Sequence, residues 1–106
     1  MLFIMIELFY RCQCYGKAYT LSTWRTNTGA EVDAVLESPE EVIPVEIKWT
    51  DSPKKKDIRH LNIFLDLHRD ITFKGYLVCR VDRPRQLSDH IIALPWNQFS
   101  NRGEET

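Results

Sequence analysis

Gly29-Ala30-Glu31-Val32-Asp33 and Pro44-Val45-Glu46-Ile47-Lys48, on either side of the turn-forming run Glu37-Ser38-Pro39-Glu40-Glu41, set the architecture of this chain. Both flanks are rich in strand-forming residues, and the middle carries turn chemistry. Side chains on a strand repeat every two residues, which groups Glu31 with Asp33 and Glu46 with Lys48. With Ser38 to Glu41 as the loop and Glu37 facing Val42, counting back sets Asp33 opposite Glu46 and Glu31 opposite Lys48. Directly opposed side chains in an antiparallel pair lie roughly 4.5–5.5 Å apart at Cβ, where like charges repel. Two carboxylates so placed call for a cation between them, an arrangement suited to a divalent metal.

A plainer reading of the same pattern is a solvated strand face on which Glu31 and Lys48 form a surface ion pair worth less than about 1 kcal/mol. Asp33 argues against it. Aspartate is depleted in strands, yet this one is embedded among Val32, Ala34, Val35 and Leu36. A short acid in an apolar strand needs a specific partner.

The neighbouring segments extend the pattern. Residues 2 to 13 read as a helix with Leu2, Met5, Ile6 and Phe9 on one stripe, ended by Tyr15-Gly16-Lys17. Ala18 to Arg25 reads as a first strand, and Asn27-Thr28-Gly29 as a hairpin turn. Pro44 lacks a ladder donor, so the third strand pairs fully only beyond it or turns that position outward. Ser52 is placed to cap a helix whose first position is Pro53. That helix runs to about His68, with Ile58, Leu61, Phe64, Leu65 and Leu67 as its apolar face. Phe73 to Val81 follows as a strand buried on both faces at Tyr76 to Cys79. A strand–helix–strand order predicts parallel pairing through a right-handed crossover. Asp82-Arg83-Pro84-Arg85 reads as a loop, His90 to Leu94 as a short strand, and Pro95-Trp96 as a turn. The predicted order αβββαβ(β) is an α+β domain with a mixed sheet.

At 106 residues the chain is expected to form one domain over residues 1–99, with a polar tail over 100–106. The formal net charge of −1 gives no global pull toward nucleic acid, so any such contact needs a local basic patch. With only four glycines, the chain has no glycine-rich phosphate loop. The apolar run Leu2 to Phe9 is far shorter than the roughly 20 residues that span a bilayer, and no signal-peptide pattern precedes it. A cytoplasmic protein without a membrane role is expected. Cys12, Cys14 and Cys79 then read as free thiols rather than as a disulfide or metal set.

Asp33 followed on the next strand by Glu46-Ile47-Lys48 resembles the signature of the PD-(D/E)XK nuclease-like fold, a restriction-endonuclease-like core. Together with Trp24-Arg25-Thr26, Gly29 to Asp33, Ile43 to Lys48 and Ala93-Leu94-Pro95-Trp96, the chain is similar to the poorly characterised C-terminal domain of many bacterial and archaeal AAA-type P-loop ATPases. The resemblance runs from the first helix to Phe99. It implies a detached or shortened copy of that module, with an ATPase as a former partner. It also implies a metal-dependent site in which Asp33 and Glu46 bind Mg²⁺ or Mn²⁺, the Ile47 carbonyl adds an oxygen, and Lys48 stabilises charge on the reacting phosphate. Glu31 either joins the metal or ties down Lys48. Nucleases of this fold place an acid on the first helix, which brings in Glu7. In the ATPase-linked family that acid comes earlier, so Glu7 takes a structural or accessory part.

Lys54, Lys55, Lys56 and Arg59 at the start of the second helix can grip a phosphate backbone; a solvated charged face is the alternative. Arg80, Arg83 and Arg85 invite the same two readings. Trp24, Trp49 and Trp96 read as core or interface residues rather than base-stacking platforms, and His60, His68 and His90 carry no assigned chemistry. Two functions follow. One is a divalent-metal-dependent DNA endonuclease. The other is an inactive DNA-binding or assembly module, in which Leu2, Phe3 and Ile4 form an apolar patch covered by a second copy.

Overall fold

The computed structural model describes residues 20–72 and 74–96. The expected helix over 2–13, with Glu7, Cys12, Cys14 and the Leu2-Phe3-Ile4 patch, lies outside the described residues, as does the tail after Phe99.

The described chain forms a six-stranded mixed sheet with one α-helix among the described residues. Its strands are β1 (Thr20–Arg25), β2 (Glu31–Glu37), β3 (Val42–Ile47), β4 (Gly75–Cys79), β5 (Arg85–Gln86) and β6 (Ile91–Pro95). They lie in the order β1-β2-β3-β4-β6-β5. The first three run as antiparallel neighbours, β3, β4 and β6 run parallel, and β5 closes the edge antiparallel to β6. This is the expected α+β class with a mixed sheet, and β3 and β4 pair in parallel as the strand–helix–strand order predicts.

Local chemistry accounts for the turns. The β1–β2 turn closes with Thr26 N–H donating to the Ala30 carbonyl at 2.8 Å, and Gly29 takes φ of +97°, a region that favours glycine. In the β2–β3 loop the Ser38 hydroxyl accepts from the amides of Glu40 and Glu41, and Ser38 N–H donates to the Glu41 carbonyl. Glu37 therefore faces Val42, as counted from the sequence, and the register continues through Leu36–Ile43 and Val35–Pro44 to Ala34–Val45. On its other side β3 joins β4 only from Val45, after the proline that cannot donate. Gly75 lets the strands meet there: a Cβ on it would lie 3.3 Å from Pro44 Cγ.

The helical segment begins later than the Ser52–Pro53 signal suggests. A 3₁₀ turn occupies Lys55–Ile58 and the α-helix α1 spans Arg59–Leu67. Ser52 spends its hydroxyl on Asp51 Oδ1, and the Asp57 carboxylate accepts the Lys54 amide at 2.8 Å instead. Ile58, Leu61, Phe64 and Leu65 are buried as expected, but Leu67 is 61% exposed. At 100° per residue Leu67 falls well off the stripe formed by the other four.

Two apolar layers sandwich the sheet. On the α1 side, Leu61, Phe64 and Leu65 pack with Val32, Val35, Leu77, Cys79 and Ile91. Each such large side chain gains about 1.5–3 kcal/mol on burial. On the opposite face Ala34, Leu36, Ile43, Val45, Ile47 and Val78 form a second buried layer. Leu77 and Val78 thus point to opposite layers of a strand covered on both sides. Arg85, read as loop, pairs with Ala93 instead and starts a two-residue edge strand. The last strand ends at Pro95, one residue beyond the expected limit.

Candidate functional site

The site lies where β2 and β3 part. Opposite β1, the register slips by one between Ser22–Val35 and Trp24–Val32, leaving an extra residue on β2 at Asp33–Ala34. Such a bulge bends a strand and re-aims its side chains. As a result Val32 and Val35, three apart, share the α1-side layer. On the β3 side the paired register stops at Ala34–Val45, so the next two residues, Asp33 and Glu46, use side chains in place of the ladder.

Glu46 Oε1 accepts the Asp33 backbone N–H at 3.1 Å, and Asp33 Oδ2 accepts the Ile47 backbone N–H at 2.8 Å. Each carboxylate therefore satisfies an amide that splaying would leave unpaired. A strand residue turns its N–H and C=O toward the same neighbour, so the Ile47 carbonyl also faces the gap.

Glu46 is 5% exposed, an uncommon position for a carboxylate. Burial is the main reason that its pKa rises from 4.5 to about 7; the Asp33 charge and a hydrogen bond to the Asp33 side chain push the same way. Lys48, exposed and two residues further on, opposes the rise more weakly. Asp33 and Glu46 are thus joined between the interior strands β2 and β3, and Lys48 follows directly after β3.

Glu31 does not join them as counted. Because the β2–β3 pairing ends before it, Glu31 pairs with β1, and its carboxylate meets Arg25 Nε at 3.4 Å in an exposed ion pair. Its backbone is braced from α1, where His60 Nδ1 lies 3.3 Å from the Glu31 nitrogen and 3.1 Å from its carbonyl oxygen. No sequence signal marks that role for His60, because it depends on where the helix crosses β2. Lys54, Lys55, Lys56 and Arg59 are exposed beyond β3. Among the described residues, no three His, Cys, Asp or Glu side chains gather in a metal-binding group.

The aromatic residues divide by position. Trp24 is half-buried against the core, edge-on to Phe64 at 5.0 Å, and His68 stacks on Phe64 at 4.2 Å. Of the core and interface alternatives, Trp49 does not take the core one: it is 58% exposed, with Trp96 at 5.3 Å and the Arg80 guanidinium 5.4 Å from its ring. Cys79 is a free, buried thiol, and burial raises its pKa. Among the described residues, no helix is long and apolar enough to cross a membrane.

The chain belongs to the family described as a domain of unknown function, DUF4143, whose sequence model matches residues 2–99. No curated protein matches it.

Proposed function

We propose that this domain is a divalent-metal-dependent, PD-(D/E)XK-type DNA endonuclease that hydrolyses phosphodiester bonds where β2 and β3 part, with Asp33, Glu46 and Lys48 in the site. The supporting observation is the carboxylate pair itself. Glu46 is driven toward protonation by burial and by the Asp33 charge, and a cation between the two would relieve both effects.

The donors suit Mg²⁺ or Mn²⁺: two carboxylates and the Ile47 carbonyl are hard oxygen ligands. When bound, the metal supplies Lewis-acid polarisation of a phosphoryl oxygen and acidifies water. The chain supplies the rest. Asp33 and Glu46 would hold the cation, their carboxylates positioned by the backbone amides that they accept. Lys48 contributes positive charge where the phosphate gains negative charge. Lys54, Lys55, Lys56 and Arg59 hold flanking phosphates. In a cytoplasmic setting this module would act beside an AAA-type ATPase.

Purified protein is expected to nick or linearise plasmid DNA with added Mn²⁺, and Asp33→Ala or Lys48→Ala to abolish cutting. Equal cutting by wild type and both variants would trace the activity to a contaminant and end the proposal.

A second reading is favoured by one feature: the site carboxylates already accept backbone amides, as a purely structural brace would. The domain would then be an inactive DNA-docking or assembly module. Salt-sensitive DNA binding without turnover marks the docking version, and self-association without DNA affinity marks the assembly version.

A further inference from the structure

The parallel strands β3, β4 and β6 end together, and their ends are tied by backbone hydrogen bonds. Lys48 N–H donates to the Val78 carbonyl at 3.0 Å, Arg80 N–H to Thr50 at 2.8 Å, and Trp96 N–H to Cys79 at 2.8 Å. This frame carries Trp49, Trp96 and Arg80 as one group at the ends of these strands, on the sheet face opposite Glu46. Trp49 follows Lys48 directly and is 58% exposed, with a guanidinium 5.4 Å from its ring centroid. A large aromatic surface left in water next to cationic side chains has the chemistry of a base-stacking site.

We propose that Trp49, Trp96 and Arg80 form a platform for the unpaired bases of a single-stranded nucleic acid whose backbone passes Asp33, Glu46 and Lys48. The platform rests on the nuclease-like reading of that pair and specifies its substrate class. The sheet geometry favours a single strand over duplex. Val45 and Ile47 point into the layer away from α1, which turns Glu46 toward the α1 side. Trp96 packs on the opposite layer, and Trp49 packs on Trp96. An occupant reaching both the carboxylates and Trp49 must bend around the strand ends. Duplex DNA, with a persistence length of about 50 nm, resists that bend; a single strand does not. Arg80 and Lys48 supply charge for its phosphates.

The test is fluorescence anisotropy of labelled oligodeoxythymidylate, run in EDTA so that binding is read without turnover. Trp49→Ala is expected to weaken strand binding by about ten-fold or more, and Trp49→Phe by no more than about three-fold, because a smaller ring still stacks. Trp49 is exposed, so circular dichroism should show the variant folded. Equal affinity of wild type and Trp49→Ala would overturn the platform. So would a dimer-to-monomer change in Trp49→Ala with strand affinity retained, which would make the patch a contact with a second copy. Cutting of circular single-stranded DNA by the wild type with added Mn²⁺ is scored separately. Cutting without Trp49-dependent strand binding removes the platform alone, whereas Trp49-dependent binding without cutting supports it and removes the catalytic proposal.

Discussion

Glu46 accepts the amide of Asp33 at 3.1 Å, while Asp33 accepts the amide that follows Glu46 at 2.8 Å. The two acids form a reciprocal brace across the point where β2 and β3 separate. Repulsion between the carboxylates is tolerated there because each supplies an acceptor that the interrupted ladder lacks.

Replacing Asp33 should distinguish the brace from a bystander. Asp33→Ala leaves the amide of Ile47, itself 3% exposed, without its acceptor and should cost about 1–3 kcal/mol. Asp33→Asn keeps an oxygen acceptor and should cost less. Urea denaturation measures both, and an alanine variant as stable as wild type would contradict the brace.

The raised pKa of Glu46 sets a sign for pH dependence. Between about 4.5 and about 7 the folded state holds a proton that the unfolded state releases. This contribution is fully present below the unfolded value and is lost as pH climbs through the folded one, at a cost on the order of a few kcal/mol. Glu46→Gln keeps an acceptor without the charge. Relative to wild type it should gain stability as pH rises from 4.5 to 8, and a constant difference across that range would refute the assignment.

Metal binding should appear as stabilisation. For metal-free protein at pH 8, Mn²⁺ at about a hundred times its dissociation constant should add about 2.7 kcal/mol. EDTA should reverse the effect, and Asp33→Ala should respond far less. A melting temperature insensitive to Mg²⁺ and Mn²⁺ would remove every catalytic version.

The helix stripe gives a paired comparison. Leu61 is fully buried and Leu67 is 61% exposed. Leu61→Ala should cost about 2–5 kcal/mol, whereas Leu67→Ala should stay within about 0.5 kcal/mol. Comparable losses would mean that the helix presents a different face.

Gly29→Ala tests the turn that feeds β2. At φ of +97° an alanine Cβ meets no neighbour, so its cost is purely conformational, about 1–2 kcal/mol. Unchanged thermal stability would place the turn in another conformation.

Much of this arrangement was readable from local chemistry. Ser38 to Glu41 closes a loop through its own hydroxyl and amides, so Glu37 faces Val42 and the count runs correctly to the Ala34–Val45 pair. The apolar spacing of Ile58, Leu61, Phe64 and Leu65 fixes which side of α1 meets the sheet. The proline at 44 marks where β3 begins to pair with β4. Turn propensity, side-chain period and a missing donor act over a few residues, and so are written in the chain order.

The bulge at Asp33–Ala34, the Arg25 partner of Glu31, the His60 brace and the exposed face of Trp49 were settled by packing in three dimensions. Each depends on a neighbour distant along the chain: β1 slipping against β2, a helix crossing the start of β2, and three strands ending side by side. A period-two pattern states which residues alternate. It does not state where two strands must part to let a buried carboxylate reach the other strand's amide.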